Sequence, residues 1–396
     1  MNILLVSGIF AKSKRDILGG MAKAVYMTAK GLRERGNEVK ILTAGRKKRR
    51  WDYNNIDVFT IKADNSLNHK NALKDFYGIC CREIGIQREI IRINKEWKID
   101  IIQYTGWFGV GLFHFTKIPA IMRISSYTKF QLYTNFYKYN LLVLNKLERM
   151  AAKRMNAVFA PSNVMAEAVS NDIKRKVLVI ETPFIPEFIE ENNKIADSKL
   201  RGKRYILFFG RLSVDKGIMV IKKVMNKILE KYGDIYFVFA GSNNVNIETG
   251  KMITEELTEA SPTYRDRIIF LGYLQHQVLF PVIRKAELIL MPSLMDNLPN
   301  ACAEAMALGS IVIGTDGSSL EQFITDGYNG FLAKINSSDS LEKKIIECLE
   351  LGAVEKDMIR HRAVERMNRL SENTYFDKLD KLYKTVINRS NLKFKR

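Results

Sequence analysis

Short apolar runs rich in Ile, Val and Phe alternate along this chain with longer stretches in which apolar residues recur at helical spacing. Runs of the first kind suit strands buried on both faces, and the second kind suits helices laid over them, so the alternation predicts an α/β fold with parallel sheets. In the first half, strands are expected at Asn2–Ser7, Glu38–Thr43, Asp57–Ile61, Ile99–Tyr104, Ala120–Ile124 and Ala157–Ala160. Between the first two lies a helix from Gly20 to Arg35, whose Ala22, Val25, Ala29 and Leu32 share one face. Gly36 then closes it, as a glycine past a helix C-terminus does.

Ile185–Lys203 breaks this rhythm. It is polar, contains Pro186 and has no sustained period, which marks a linker. A second series follows, with strands expected at Tyr205–Phe209, Ile235–Ala240, Ile268–Leu271, Leu288–Met291 and Ile311–Gly314. From Glu372 to Asn388 the period is again helical, with Tyr375, Leu379, Leu382 and Val386 on one side, and the chain ends in a basic tail. The expected organisation is a first domain at 1–185, a linker at 186–203, a second domain at 204–371 and a C-terminal helix with its tail at 372–396.

Composition narrows the class. A chain of 396 residues has room for two domains, and 46% hydrophobic with only 8 Pro excludes disordered and collagen-like chains. Cys80, Cys81, Cys302 and Cys348 form no C-x-x-C pair, so neither a zinc site nor a disulfide framework is suggested and a reducing cytoplasm is expected. The uncharged run Ile101–Thr116 is shorter than a bilayer span and includes Gln103 and His114. The opening MNILLVSGIF has no basic region before its apolar run and reads as a strand rather than a signal peptide.

Charge divides the chain unevenly. Residues 1–185 hold 32 Lys and Arg against 15 Asp and Glu, whereas residues 186–396 hold 31 against 28. The first half therefore attracts polyanions: nucleic acid, anionic lipid headgroups or phosphorylated substrates. Arg46–Arg50 (RKKRR) concentrates this field, and Tyr127–Tyr139 mixes Tyr127, Phe130, Tyr133, Phe136, Tyr137 and Tyr139 with Lys129 and Lys138. Both suit docking on an anionic membrane, although the aromatic stretch equally suits a packed helix. No recognised nucleic-acid motif accompanies them.

Two segments carry chemistry. In the first, the strand YILFFG runs into Arg211, Leu212, Ser213, Val214, Asp215, Lys216 and Gly217. A strand stopping at Gly210 lets backbone approach a ligand, and Arg211 with Lys216 adds two cations near a helix N-terminus, the makings of a diphosphate clamp. Alone this signal is weak, since Gly-Arg after a strand is common. In the second, Leu288–Thr315, a strand ends at Pro292–Ser293, a polar turn runs from Asp296 to Asn300, and a helix from about Ala301 carries Glu304 on its first turn. A carboxylate there can accept both hydroxyls of a ribose, or it can merely complement the helix dipole.

Taken together, these segments resemble the retaining glycosyltransferases of family 4, on the GT-B fold. That family pairs a strand-Gly-Arg-x4-Lys loop with two acidic residues eight positions apart before EAMA-x-G. Gly309, Gly317, Glu321, Gly327, Asn329 and Gly330 continue its pattern. The likeness is strong over 205–335 and looser in the first half, where Gly19–Gly20 opens a helix. It implies two Rossmann-like domains facing a central cleft, with the C-terminal helix crossing back to the first, acceptor-binding domain. It further implies transfer of a sugar, with retention of configuration, from a nucleotide diphosphate sugar to a hydroxyl acceptor, saccharide or lipid-linked.

Carried over residue by residue, the resemblance makes Arg211, Lys216 and Asp296 catalytic. Donor binding falls to Gly19, Gly20, Gly210, Arg211, Lys216, Asp296, Asn297, Leu298, Asn300 and Glu304. Asp296 stands where most relatives have Glu, within a DNLPN turn. Many relatives also have a His just after the strand equivalent to Ala120–Ile124, where this chain has Ser125–Ser126. His69, His114, His276 and His361 are read as surface or helix-face residues. No D-x-D triplet occurs, so no metal and no cofactor besides the donor is expected. The alternatives are a nucleotide-sugar epimerase on the same fold, or a non-catalytic basic protein that holds membrane or nucleic acid. The expected location is cytoplasmic, peripheral at the inner face of the membrane.

Overall fold

A computed structural model describes residues 1–11, 13, 20–63, 72–131, 138–184, 190–294 and 299–394. The chain divides into two units, one of Met1–Thr182 with Glu372–Arg396 and one of Pro183–Ser371.

The first unit is built on β1 (Asn2–Ser7), β2 (Glu38–Gly45), β3 (Arg49–Tyr53), β4 (Ile56–Lys62), β5 (Ile101–Thr105), β6 (Ala120–Arg123), β7 (Ala157–Ala160) and β8 (Leu178–Val179). They lie in the order β3-β4-β2-β1-β5-β6-β7-β8. Strand alternation divides the core: Leu4 and Val6 of β1 face one apolar cluster, while Ile3 and Leu5 face another. All four are buried because helices cover both faces, as a parallel sheet requires. One cover is the helix Gly20–Glu34, whose Ala22, Val25, Ala29 and Leu32 point inward as their spacing predicts.

Beside it lies the helix Glu372–Phe394, which sets Tyr375, Phe376, Leu379 and Tyr383 into the same cluster. Its Tyr383 hydroxyl donates to Gln103 Oε1 at 2.7 Å. A side chain at Gly31 would collide with the Phe376 ring, so a glycine there lets the two helices close together.

Strand β3 is absent from the expected set. It pairs antiparallel with β4 through Asn54 and Asn55, both at positive φ, in a two-residue hairpin. Arg49 and Arg50 therefore belong to an edge strand rather than to a free basic loop. Arg50 pairs with Asp57 at 2.9 Å, Lys48 with Glu89 at 3.0 Å, and Arg49 stacks over Trp51. Of the aromatic stretch, Tyr127 takes the packed alternative: it is buried and its hydroxyl donates to Asp172 at 2.7 Å. Residues 132–137 of that stretch lie outside those described.

The second unit holds β9 (Arg204–Phe209), β10 (Ile235–Ala240), β11 (Ile268–Gly272), β12 (Leu288–Leu290), β13 (Val312–Asp316) and β14 (Phe331–Lys334). Their order is β11-β10-β9-β12-β13-β14, every pairing parallel. Again one strand serves two cores, with Ile206 and Phe208 on one face and Tyr205, Leu207 and Phe209 on the other. The expected linker 186–203 is corrected over its described part: residues 190–203 belong to this unit, with a helical turn at Lys194–Asp197. Ala196 and Leu200 are buried against Leu207 and Phe209 in one cluster. A polar surface with two apolar anchors hid the packing from a reading by period.

Both sheets share one topology. Strand order reverses between β1 and β5 in the first and between β9 and β12 in the second. In doubly wound sheets, ligands bind outside the carboxyl ends of the strands at such a reversal.

Candidate active site

The reversal in the second unit brings the two chemistry-bearing segments together. Strand β9 ends at Gly210, and the chain turns through Arg211, Ser213 and a single helical turn, Val214–Lys216, into the helix Ile218–Lys231. Strand β12 leads to Pro292, Ser293 and Leu294, and the Leu294 amide donates to the Asp215 carbonyl at 2.9 Å. The loops approach so closely that a Cβ at Gly217, which has φ 74°, would lie 1.8 Å from the Pro292 carbonyl oxygen. At Gly241, after β10, a Cβ would meet the Gly210 carbonyl at 1.6 Å. Only glycine permits either approach, and the result is a floor of backbone at the carboxyl ends of the strands.

On that floor stands Arg211, exposed, its guanidinium held by Asp215 Oδ2 at 2.7 Å and reaching Ser213 Oγ at 3.3 Å. Lys216, half-buried, is the last residue of the helical turn that Gly217 caps. Gly217 is also the N-cap of the helix Ile218–Lys231 and has no side chain to bond its first amides. Two cations and a helix N-terminus thus lie on one short loop, which is the chemistry of an anion site. Ser213 and Asp215, as supports of Arg211, were missed in the sequence. Their i+2 and i+4 spacing from it is the signal that could have shown them.

Glu304 sits on the helix Asn300–Ala307, on its second turn rather than the expected first. That correction removes most of the reason to read it as a dipole partner, since dipole stabilisation fades beyond the first turn. Its carboxylate lies 3.8 Å from His276 Nε2. His276 opens the helix His276–Arg284, partly exposed on its face as expected, and stacks on Phe280 at 5.0 Å. Pro299, the N-cap of the Glu304 helix, makes no side-chain cap bond, and Asn300 beside it is exposed. Asp296, Asn297 and Leu298 lie outside the described residues, as does Gly19, while Gly20 is the first residue of its helix.

The rest of the glycine-rich pattern is architectural. Asn329 accepts from the Thr325 amide at 2.7 Å and donates to the Phe323 carbonyl at 3.0 Å. Asp326 accepts from the Leu332 amide at 2.9 Å, and Glu321 accepts from the Gly317 amide. These bonds shape the turns around β13 and β14. Among the described residues, no group of three or more His, Cys, Asp or Glu is placed to hold a metal ion.

Comparison with known families agrees with this geometry. Residues 190–374 match the family described as glycosyl transferases group 1, and residues 18–188 match glycosyltransferase family 4. The chain belongs to the family 4 glycosyltransferases. An uncharacterized glycosyltransferase of Methanocaldococcus jannaschii is 25% identical over 343 residues, covering 82% of this chain and 84% of that protein. A human phosphatidylinositol N-acetylglucosaminyltransferase subunit is 24% identical over 320 residues, covering 79% of this chain and 62% of its own length. Among solved structures, sucrose-phosphate synthase of Thermosynechococcus elongatus superposes with a TM-score of 0.77 at 16% identity, covering 98% of this chain and 99% of that one. This family 4 member thus has the GT-B fold of two Rossmann-like domains.

At the reversal in its first unit, the glycosyltransferase carries no such clamp among the described residues; its loops are held by buried acids. Glu148 is buried in the helix Lys138–Arg154 and accepts from the Phe108 amide at 3.1 Å, the Thr128 amide at 2.9 Å and the Thr128 hydroxyl at 2.8 Å. One carboxylate therefore ties the connection after β5 to the connection after β6. Burial pushes its pKa up to about 7, against the pull of those hydrogen bonds.

Glu83 accepts from the Gly111 amide at 2.8 Å, and its neighbour Arg82 donates to the Phe108 carbonyl at 2.6 Å. Burial likewise raises the Glu83 pKa, although Arg82 opposes it. These residues also escaped the sequence reading; their signal was charge at core-facing positions of a helical period. His114 is a further correction, being buried with Nδ1 3.0 Å from the Tyr104 hydroxyl, and burial lowers its pKa. His361 is exposed on a helix as expected, and His69 lies outside the described residues. Ser125 and Ser126 stand half-buried after β6.

Proposed function

We propose that this protein transfers a sugar from a nucleotide diphosphate sugar to a hydroxyl of a lipid-linked or membrane saccharide acceptor, with retention of configuration and without a metal ion. The observation that carries this reading is the convergence, at one strand reversal, of Arg211 and Lys216 on the loop after β9 with Glu304 on the helix after β12. Arg211, Lys216 and the helix N-terminus at Gly217 meet the diphosphate, and Glu304 accepts from the ribose hydroxyls. Asp296, Asn297, Leu298, Asn300, Gly210, Gly19 and Gly20 complete the proposed donor-binding set.

The reaction breaks the bond from the anomeric carbon to the diphosphate oxygen and forms one to the acceptor oxygen, on the same face of the sugar. The acceptor proton passes to the departing diphosphate, and no nucleophilic side chain is needed. Negative charge grows on the leaving group as the bond lengthens, so fixed cations stabilise the transition state more than the bound donor. They occupy the role a divalent metal would fill. A lipid acceptor is favoured by the basic first unit and by the name of the human relative, which specifies phosphatidylinositol.

The decisive experiment incubates the protein with a panel of nucleotide diphosphate sugars and measures nucleotide diphosphate release, with and without lipid-linked acceptors. Release that depends on both donor and acceptor is expected. A changed free sugar formed without acceptor would establish an epimerase instead, and no turnover with any donor would leave a binding protein.

A further inference from the structure

The helix Ala72–Glu96 covers one face of the first sheet, yet its outward side is far from polar. Leu73 is 81% exposed and Tyr77 71%, and Phe76, Ile84 and Ile91 are exposed with them. Leu73, Tyr77, Ile84 and Ile91 recur at helical spacing and form one stripe. Exposed Lys74, Arg88, Arg92 and Lys95 interleave with it, whereas Asp75, Glu83 and Glu89 are turned inward and buried, leaving Glu96 as the helix's exposed acid. Lys48, from the basic run before β3, reaches Glu89 on this same helix. We infer that the outward face of the helix Ala72–Glu96 is the surface by which the protein seats on an anionic lipid bilayer, a reading that rests on the membrane acceptor proposed above.

Charge selects this occupant. A face of apolar residues interleaved with cations matches acyl chains beneath anionic headgroups. Pairing with a second copy of the same face would set Lys74, Arg88 and Lys95 against like charges, Arg92 being paired with Glu89 and Glu96. No helix among the described residues is long and apolar enough to cross a membrane, so this one lies along the surface. Tyr127, being buried, is not available for such a contact.

Placement gives the face a purpose. The helix leads from the carboxyl end of β4 to the amino end of β5, which puts its apolar half, Leu73 to Ile84, beside the carboxyl ends of the parallel strands. Arg82 and Glu83, on the inward side of that half, bond the Phe108 carbonyl and the Gly111 amide in the connection after β5. A bilayer contacting the outer side of this helix is thus one helix thickness from the loop at the first unit's strand reversal, where a lipid-borne acceptor is required.

Cys81 provides the test, since it is exposed between Tyr77 and Ile84. An environment-sensitive fluorophore on Cys81, in a Cys80→Ser background, is titrated with vesicles of phosphatidylcholine with and without phosphatidylglycerol, alongside co-sedimentation. A blue shift and pelleting with anionic vesicles alone are expected. Leu73→Gln, Tyr77→Gln and Ile84→Gln combined weaken partitioning at least about tenfold, because three exposed apolar groups no longer enter the interface. Lys74→Gln with Arg88→Gln weakens it by roughly tenfold or more at low salt.

Thermal unfolding monitored by circular dichroism serves as the check that the triple variant is folded, and the charge variant repeats the test with polar substitutions alone. Binding that both variants preserve, or a silent fluorophore during pelleting, would overturn this face while leaving a membrane reading intact. Loss of a dimer by the triple variant without lipid would identify a second copy as the occupant and overturn it too. Donor turnover without any vesicle binding removes the docking face and keeps the sugar-transfer reading; vesicle binding without donor turnover does the reverse.

Discussion

The two units share a strand order and differ in what they place at its reversal. In the second, strands end on a glycine floor beneath exposed Arg211 and half-buried Lys216, with Arg211 steadied by Asp215 and a helix N-terminus alongside. In the first, the corresponding connections are braced by Glu148, Glu83 and Arg82, all buried. Among the described residues, which leave out most of the connection after β1, one reversal thus presents cations and the other spends buried charge on holding backbone in place. The same scaffold serves both because the topology dictates only where loops converge, and the side chains on those loops decide the chemistry.

The largest expected effect tests the pair of cations. Arg211→Ala and Lys216→Ala each lower the maximal rate by about 10²- to 10³-fold, the loss typical of removing one transition-state donor, with a smaller change in donor affinity. Steady-state kinetics of nucleotide diphosphate release measures both. A pure loss of affinity at constant maximal rate would make the pair simple binding residues, and the contrast between the reversals would then concern binding alone.

Next comes the buried acid. The Glu148 pKa is about 7 in the folded chain against an ordinary 4.5, so the proton binds more tightly when the chain is folded. Its stabilising contribution is complete below about pH 4.5 and is lost as pH rises to about 7, at most about 3 kcal/mol. Glu256 in the second unit behaves oppositely, because a hydrogen bond from Lys222, joined by others from Thr249 and Asn246, holds its pKa at about 2. Its contribution is present above about pH 4.5 and fades as pH falls towards 2. Urea unfolding between about pH 5 and pH 7 should show stability falling for the parent, with Glu148→Gln flattening that slope. An unchanged slope would mean Glu148 is ionised throughout and braces its loops as a carboxylate.

Glu304→Gln is expected to weaken donor binding by about 1–3 kcal/mol, one charge-assisted hydrogen bond, with little change in melting temperature. Parental donor kinetics would remove Glu304 from the ribose. The smallest effect is expected from chelator, which should leave the rate unchanged if, as proposed, Arg211 and Lys216 rather than a metal meet the diphosphate. Loss of activity restored by a divalent ion would show that Arg211 and Lys216 share that work with a metal.

Legibility in the sequence followed the range of each interaction. The loop that carries Arg211 and Lys216 was readable because a strand, a glycine and two cations are neighbours along the chain. The β3–β4 hairpin was equally local, announced by Asn54–Asn55, and was overlooked because the RKKRR run drew attention as charge rather than as the start of an edge strand. Asn329 was legible as part of a pattern and illegible as a turn brace, since its partners are backbone groups that only the fold brings near.

What the sequence by itself determined is the alternation of strand and helix, the repeat of one α/β plan in two halves, and the segments carrying donor chemistry. Hydrophobic period and local turn chemistry act within a few residues and are written directly in the chain. Tertiary structure alone decided that residues 190–203 pack into the second unit. It also decided that Glu148 joins Phe108 to Thr128, and that the helix Ala72–Glu96 turns Asp75, Glu83 and Glu89 inward while leaving Leu73 and Tyr77 outside. Those outcomes depend on which faces meet across long stretches of chain, and burial, which sets both the pKa of Glu148 and the apolar stripe, does not exist until they have met.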